Sequence, residues 1–199
     1  MTKGRIEAFS DGVIAIIITI MVLELHPPHG VTLAALQSEV LSDLLSYVLS
    51  FTIVGIYWNN HHHLFAATHR IDGSVMWANL HLLFWLSLMP FATGWVGDHP
   101  GESTPMAIYS LVLLLGGIAY YILQSRILRI EGPNSMLAKA VGRDRKGKLS
   151  PLVYAVAIPL AYVSPWISAG LIVLVAIIWL IPDRRIEARI DHGQPPSLR

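Results

Sequence analysis

Three short stretches carry side chains that could handle protons or metal ions in an otherwise apolar chain. They are Arg5-Ile6-Glu7-Ala8-Phe9-Ser10-Asp11, Tyr57-Trp58-Asn59-Asn60-His61-His62-His63-Leu64-Phe65 and Trp77-Ala78-Asn79-Leu80-His81. Carboxylate, hydroxyl, imidazole and amide groups in such company have three uses. They can clamp helices together, with imidazoles and amides satisfying Asp11 and Ser10. They can sense or relay protons, since histidine changes charge near neutral pH. They can also hold a metal, with His61, His62, His69 and His81 as imidazole ligands. Spacing weighs against the last. Successive residues fan out by about 100° around a helix, so His61, His62 and His63 cannot all face one ion, and the cluster lacks an i, i+4 pair. The chain has no cysteine, which removes disulfides, thiolate metal sites and thiol nucleophiles.

A second pattern is chemically quieter. Gly12, Ile16, Thr19, Ile20 and Leu23 recur at i, i+4, i+7, i+8 and i+11, forming one stripe of a helix. By periodicity alone this is a lipid-facing or core-packing stripe, and Thr19 can bond to its own helix. A third group, Glu24, Glu39, Asp43, Asp98 and Glu102, gathers acids in segments that contain no Lys or Arg. Such a face raises the local cation concentration. It is equally what remains where a charge rule has removed the bases.

The elements that must position these groups are membrane helices. Of the 199 residues 54% are hydrophobic, the mean hydropathy is +0.55, and only 14% are charged. A soluble domain carries about a quarter. Apolar runs of spanning length fall at about 6–25, 41–66, 74–96 and 105–127. The stretch 150–182 suits two spans, 150–163 and 165–182, broken at Val163-Ser164-Pro165. The first run resembles a signal peptide, but no small-residue cleavage site follows it, so it reads as a retained helix. Residues 31–40 suit a short interfacial helix, 129–148 a polar basic loop, and 186–199 a cytoplasmic tail behind a single domain of residues 1–185.

The expected fold is therefore an all-α polytopic membrane protein with six transmembrane helices per subunit. With the N-terminus inside, all 14 Lys and Arg residues lie on the cytoplasmic side and both termini are cytoplasmic. Asp11, Asn60, His61, Asn79 and His81 then share one buried polar layer, roughly 10–15 Å in from the basic flanks at ~1.5 Å per residue. Pro90 and Pro159 are expected to kink their helices. Gly94, Gly97, Gly116 and Gly117 suit close helix packing, and Trp95, Trp166 and Trp179 suit the membrane interfaces.

The motifs resemble a known family. Arg5-x-x-x-Phe9-Ser10-Asp11 is similar to the signature of the transmembrane protein 175 potassium-channel family. Tyr57-Trp58-x-Asn60-His61-His62-x-Leu64-Phe65 is similar to its second motif, and Trp77-x-Asn79 with Met89-Pro90-Phe91 fits its third segment. The resemblance implies a homotetrameric channel for potassium and other monovalent cations in the bacterial inner membrane, with the first helix of each subunit lining the pore. It implies side-chain constrictions at Ile16, Thr19 and Leu23 in place of a carbonyl filter. Arg5, Phe9, Ser10 and Asp11 become the scaffold of the pore helix, and Trp58, Asn60, His61, His62, Trp77 and Asn79 the inter-helix polar clamp. No enzyme activity, cofactor or nucleic-acid partner is expected; the small species handled is permeant potassium. The competing function is a proton-coupled secondary transporter using the Asp/His layer. Matched broken helices, common in transporters, are not evident.

Overall fold

The computed structural model describes residues 2–133, 135, 137–138 and 145–180. Among these the secondary structure is helical: α1 (Lys3–Leu23), α2 (Leu33–Glu39), α3 (Leu41–Ala66), α4 (Gly73–Ser87), α5 (Met89–Asp98), α6 (Ser103–Glu131), α7 (Arg145–Val163) and α8 (Pro165–Leu180). Local chemistry sets several boundaries. Thr32 caps α2 by accepting the Ala35 N–H at 3.2 Å, and Asp72 caps α4 by accepting the Val75 N–H at 3.0 Å. Gly132, at φ 87°, ends α6 while its N–H returns to the Leu128 carbonyl at 3.0 Å. Pro165 opens α8, where its missing N–H costs nothing.

Among the described residues four segments are long and apolar enough to cross a membrane: α1, α3, α4 with α5 as one broken rod, and α6. Helix α8 is apolar over its 16 described residues, Pro165–Leu180. Helix α7 has 19 residues and opens on Arg145-Lys146-Gly147-Lys148. The apolar run expected at 74–96 is two helices meeting at Leu88. Pro90 offers no N–H to the carbonyl four residues back, and Leu88 N–H turns tightly to Trp85 O at 3.3 Å. Helix α6 extends through Glu131 and α7 starts at Arg145, so both ends of the expected 129–148 loop are helical. The expected tail 186–199 lies outside the described residues.

Helix α6 is the hub, packed against α4, α5, α7 and α8. The core around it includes Phe65, Leu82, Leu86, Met89, Leu113, Leu123, Ile127 and Ile172, all essentially inaccessible. Helix α1 lies at the margin, against α3, α4 and α5. The bundle has a basic end and an acidic end. At the basic end Lys3 Nζ donates to the Ala66 carbonyl at 3.1 Å. There Glu131 Oε1 also accepts the His69 and Arg70 N–H groups at 2.6 and 2.8 Å, joining α6 to the α3–α4 connection. Glu24, Asp43 and Asp98 lie together at the opposite end.

Candidate functional site

Helix α1 has two faces, and the contrast between them builds the site. Ile6, Ser10, Ile14, Ile17 and Met21, spaced by three and four, are buried against the bundle. The Gly12–Leu23 stripe looks away from it: Ile16 is 58% and Leu23 74% exposed, and Thr19 and Ile20 are exposed as well. Core packing within one chain is therefore excluded for this stripe. The Thr19 hydroxyl lies 3.0 Å from both the Ala15 and Ile16 carbonyls of its own helix. Its single hydrogen is engaged there, so only oxygen lone pairs remain to face outward. Between this stripe and α5 runs a groove of ≈ 710 Å³ lined by Val13, Ile16, Ile20, Phe91 and Trp95, with Glu24 and Asp98 at its acidic end.

Behind the stripe is a buried polar chain joining three spans. Ser10 Oγ donates to the Ile6 carbonyl at 2.8 Å and accepts Asn79 Nδ2 at 2.9 Å. Asn79 Oδ1 lies 2.8 Å from His61 Nε2. Ser10, His61 and Asn79 are 0%, 1% and 2% exposed. The proton positions follow from one another. The Ser10 hydrogen is engaged by Ile6, so Ser10 accepts from the amide nitrogen. That leaves the amide oxygen toward the imidazole, and His61 must carry its proton on Nε2. The His61 ring also stacks on Phe65, with centroids 4.5 Å apart.

The other expected site residues divide. Asp11 is exposed, and its partner is the Trp58 indole N–H at 3.0 Å rather than an imidazole or an amide. Trp58 in turn stacks on His62, at 6.1 Å and 23°. Asn60 turns back on its own helix, donating to the Ile56 carbonyl at 2.8 Å, while its backbone carbonyl accepts the Tyr120 hydroxyl at 3.2 Å. Trp77 is 76% exposed, and Arg5 and Phe9 are exposed on α1. The layer expected to be uniformly buried is thus a buried Ser10–Asn79–His61 chain beside an exposed Asp11–Trp58–His62 group. His61, His62, His69 and His81 do not converge: His81 accepts from Trp85 Nε1 at 2.9 Å, and His69 faces Glu131 at 3.4 Å.

The sequence reading missed a second buried polar group in the half of the bundle toward the acidic end. Ser50 Oγ of α3 is 2.8 Å from the Tyr109 hydroxyl of α6 and 2.7 Å from Thr93 Oγ1 of α5. Thr93 Oγ1 also reaches the Met89 carbonyl at 2.6 Å. The available signal was depth: all three residues lie roughly 8–14 Å from the acidic ends of their helices at ~1.5 Å per residue.

The family profile described as the endosomal/lysosomal potassium channel TMEM175 matches residues 5–90, which include the α1 motif, the histidine run, Asn79 and Pro90. A protein named as a potassium channel from Chryseobacterium sp. (strain P1-3) is 54% identical over 193 residues, covering 97% of this chain and all of its own length. The chain belongs to the TMEM175 family. Another relative with the name of a potassium channel, from Chamaesiphon minutus, is 31% identical over 188 residues, 87% of this chain and 91% of the relative. The crystal structure of a lysosomal potassium-selective channel TMEM175 homolog from Chamaesiphon minutus superposes with a TM-score of 0.75 at 30% identity. The match covers 90% of this chain and 96% of that one. Like the apolar helices, membership of TMEM175 makes this a multi-pass membrane protein. Its homologues are named as channels rather than enzymes.

Proposed function

We propose that this TMEM175 chain is a potassium-permeable cation channel, a homotetramer in which α1 of each subunit lines a central pore. The observation that carries the reading is the outward stripe of α1. A marginal helix packed on one side by α3, α4 and α5 leaves Ile16, Thr19 and Leu23 uncovered on the other. Four copies around an axis bring those residues together. Rings of Ile16 and Leu23 are then hydrophobic constrictions that gate by dewetting. The Thr19 ring presents hydroxyl lone pairs that replace part of an ion's hydration shell. Without a carbonyl filter, preference for potassium over sodium is modest.

In this reading the chain spans the bacterial inner membrane six times, with α7 and α8 as the last two spans and both termini in the cytoplasm. The basic end is the inner one. Arg5, Phe9, Ser10 and Asp11 hold the pore helix, and the Asn79–His61 chain fixes its rotation so that the stripe faces the axis. The buried chain ends on the Ile6 carbonyl of its own helix, which gives a relayed proton no exit and favours a channel over a proton-coupled carrier.

Potassium flux from liposomes tests this, with sodium and caesium as competitors and Leu23→Ala and Ile16→Asn alongside. Passive flux that follows the potassium gradient, and is altered in both variants, is the expected result. Flux unchanged in both variants removes α1 from the pore. Flux that requires a proton gradient replaces the channel by a coupled carrier centred on Asp11 and the histidines.

A further inference from the structure

We infer that His26, Asp43 and Asp98 form a binding site for a divalent transition-metal ion of the zinc class at the acidic end of the bundle. The three residues come from separate segments: the connection after α1, the first turn of α3 and the last residue of α5. One ligand atom from each, a ring nitrogen and two carboxylate oxygens, lies within 4.8 Å of the others. The imidazole separates this group from an ordinary acidic patch. Calcium and magnesium take oxygen ligands, whereas a mixed nitrogen and carboxylate set suits zinc and its neighbours. Three protein ligands leave a fourth tetrahedral position for water.

The fold holds Asp43 in place and lets the other two residues close on it. Helix α5 meets α3 at Gly97. A Cβ there would lie 2.9 Å from Asp43 Oδ1, 2.9 Å from Ser46 Oγ and 3.0 Å from the Asp43 backbone. The bare glycine is what allows the Asp43 carboxylate to sit beside Asp98. His26 and Asp98 are exposed and sit just beyond, or at, helix ends. Ligands about 2.0–2.1 Å from a tetrahedral ion stand about 3.3 Å apart, so binding draws these side chains in by at most roughly 1.5 Å.

Charge also favours an ion. Two carboxylates this close repel each other, and the surrounding segments 26–40 and 97–104 contain no Lys or Arg. Glu24 adds a further carboxylate one turn along α5, where its Oε2 lies 2.9 Å from the Cβ position of Gly94. A bound ion ties the exit of α1 to α3 and α5. Binding itself does not depend on the channel reading.

The test uses the full chain, purified in detergent without a polyhistidine tag, titrated with zinc chloride in a calorimeter and assayed for bound metal after dialysis. One zinc ion per chain is expected. His26→Ala and Asp98→Asn, both at exposed positions, should each weaken binding by about tenfold or more. His63→Ala, in the histidine run at the other end, should leave it unchanged, and excess calcium should not displace the zinc. Circular dichroism melting without metal checks that the variants are folded. Wild-type binding by His26→Ala, loss of binding in His63→Ala, or displacement by an equal concentration of calcium overturns the site.

Discussion

Asn79→Leu isolates the contribution of the buried polar chain. The substitution keeps a side chain of similar bulk and removes both hydrogen bonds of the amide. His61 Nε2–H, 1% exposed, loses its acceptor, while Ser10 keeps its donor bond to Ile6 and loses only a bond that it accepted. A buried donor left unpaired costs about 1–3 kcal/mol. Inter-helix hydrogen bonds in membrane proteins average about 0.6 kcal/mol, with a maximum of about 1.7, because helices unfolded within the membrane also find partners. Together these place Asn79→Leu at a loss of about 1–2 kcal/mol. Ser10→Ala strands one amide hydrogen rather than the imidazole, so it should cost less, at about 0.6 kcal/mol. Once Asn79 is gone the Ser10 change removes nothing further across the interface, so the double variant should fall short of the sum. The assay is unfolding in mixed micelles of rising dodecyl sulfate content, followed by circular dichroism, for the wild type, both single variants and the double. A fully stable Asn79→Leu, or effects that add to within about 0.3 kcal/mol, refutes the chain as an energetic unit.

Two further outcomes follow from close contacts. Gly97→Ala presses on the Asp43 backbone as well as its side chain and should cost about 1–3 kcal/mol in the same assay. Gly94→Ala meets chiefly the far end of the Glu24 side chain, which can swing away, and should cost less; equal losses contradict this account of α3–α5 packing. Glu131→Ala removes the acceptor for two backbone N–H groups, so hydrogen–deuterium exchange across residues 67–72 should quicken while the middle of α6 keeps its protection. Unchanged exchange there means that the connection is held by something else.

Legibility varied with the kind of information each element needed. Four of the six expected spans were readable because apolar length is a local property, and the Pro165 start of α8 is a covalent constraint. Ser10, His61 and Asn79 were readable as partners because orientation alone places them at one depth. Depth does not give azimuth, however. Asn60 and His61 are neighbours in sequence, yet a rotation of about 100° sends one toward its own helix and the other into the core. For the same reason the stripe of α1 could be read as a stripe but not assigned a direction until α3, α4 and α5 were seen to cover the opposite face. The Ser50–Thr93–Tyr109 group escaped because single hydroxyls in apolar runs ordinarily bond to their own helix, as the Thr93 contact with Met89 also does.

The break at Leu88 makes the third span a lever. Its α4 arm is fastened chiefly to α6 and its α5 arm chiefly to α3. The fulcrum between them lacks the hydrogen bond that Pro90 cannot supply. The ten residues of α5 form an arm of about 15 Å. Turning that arm by about 5° sweeps Asp98 through roughly 1.3 Å, while Asn79, on the other arm, keeps its place beside His61 and Ser10. Any rotation about Leu88 is therefore amplified toward Asp98 and the acidic end of the bundle, while the α4 arm keeps its contacts with α6.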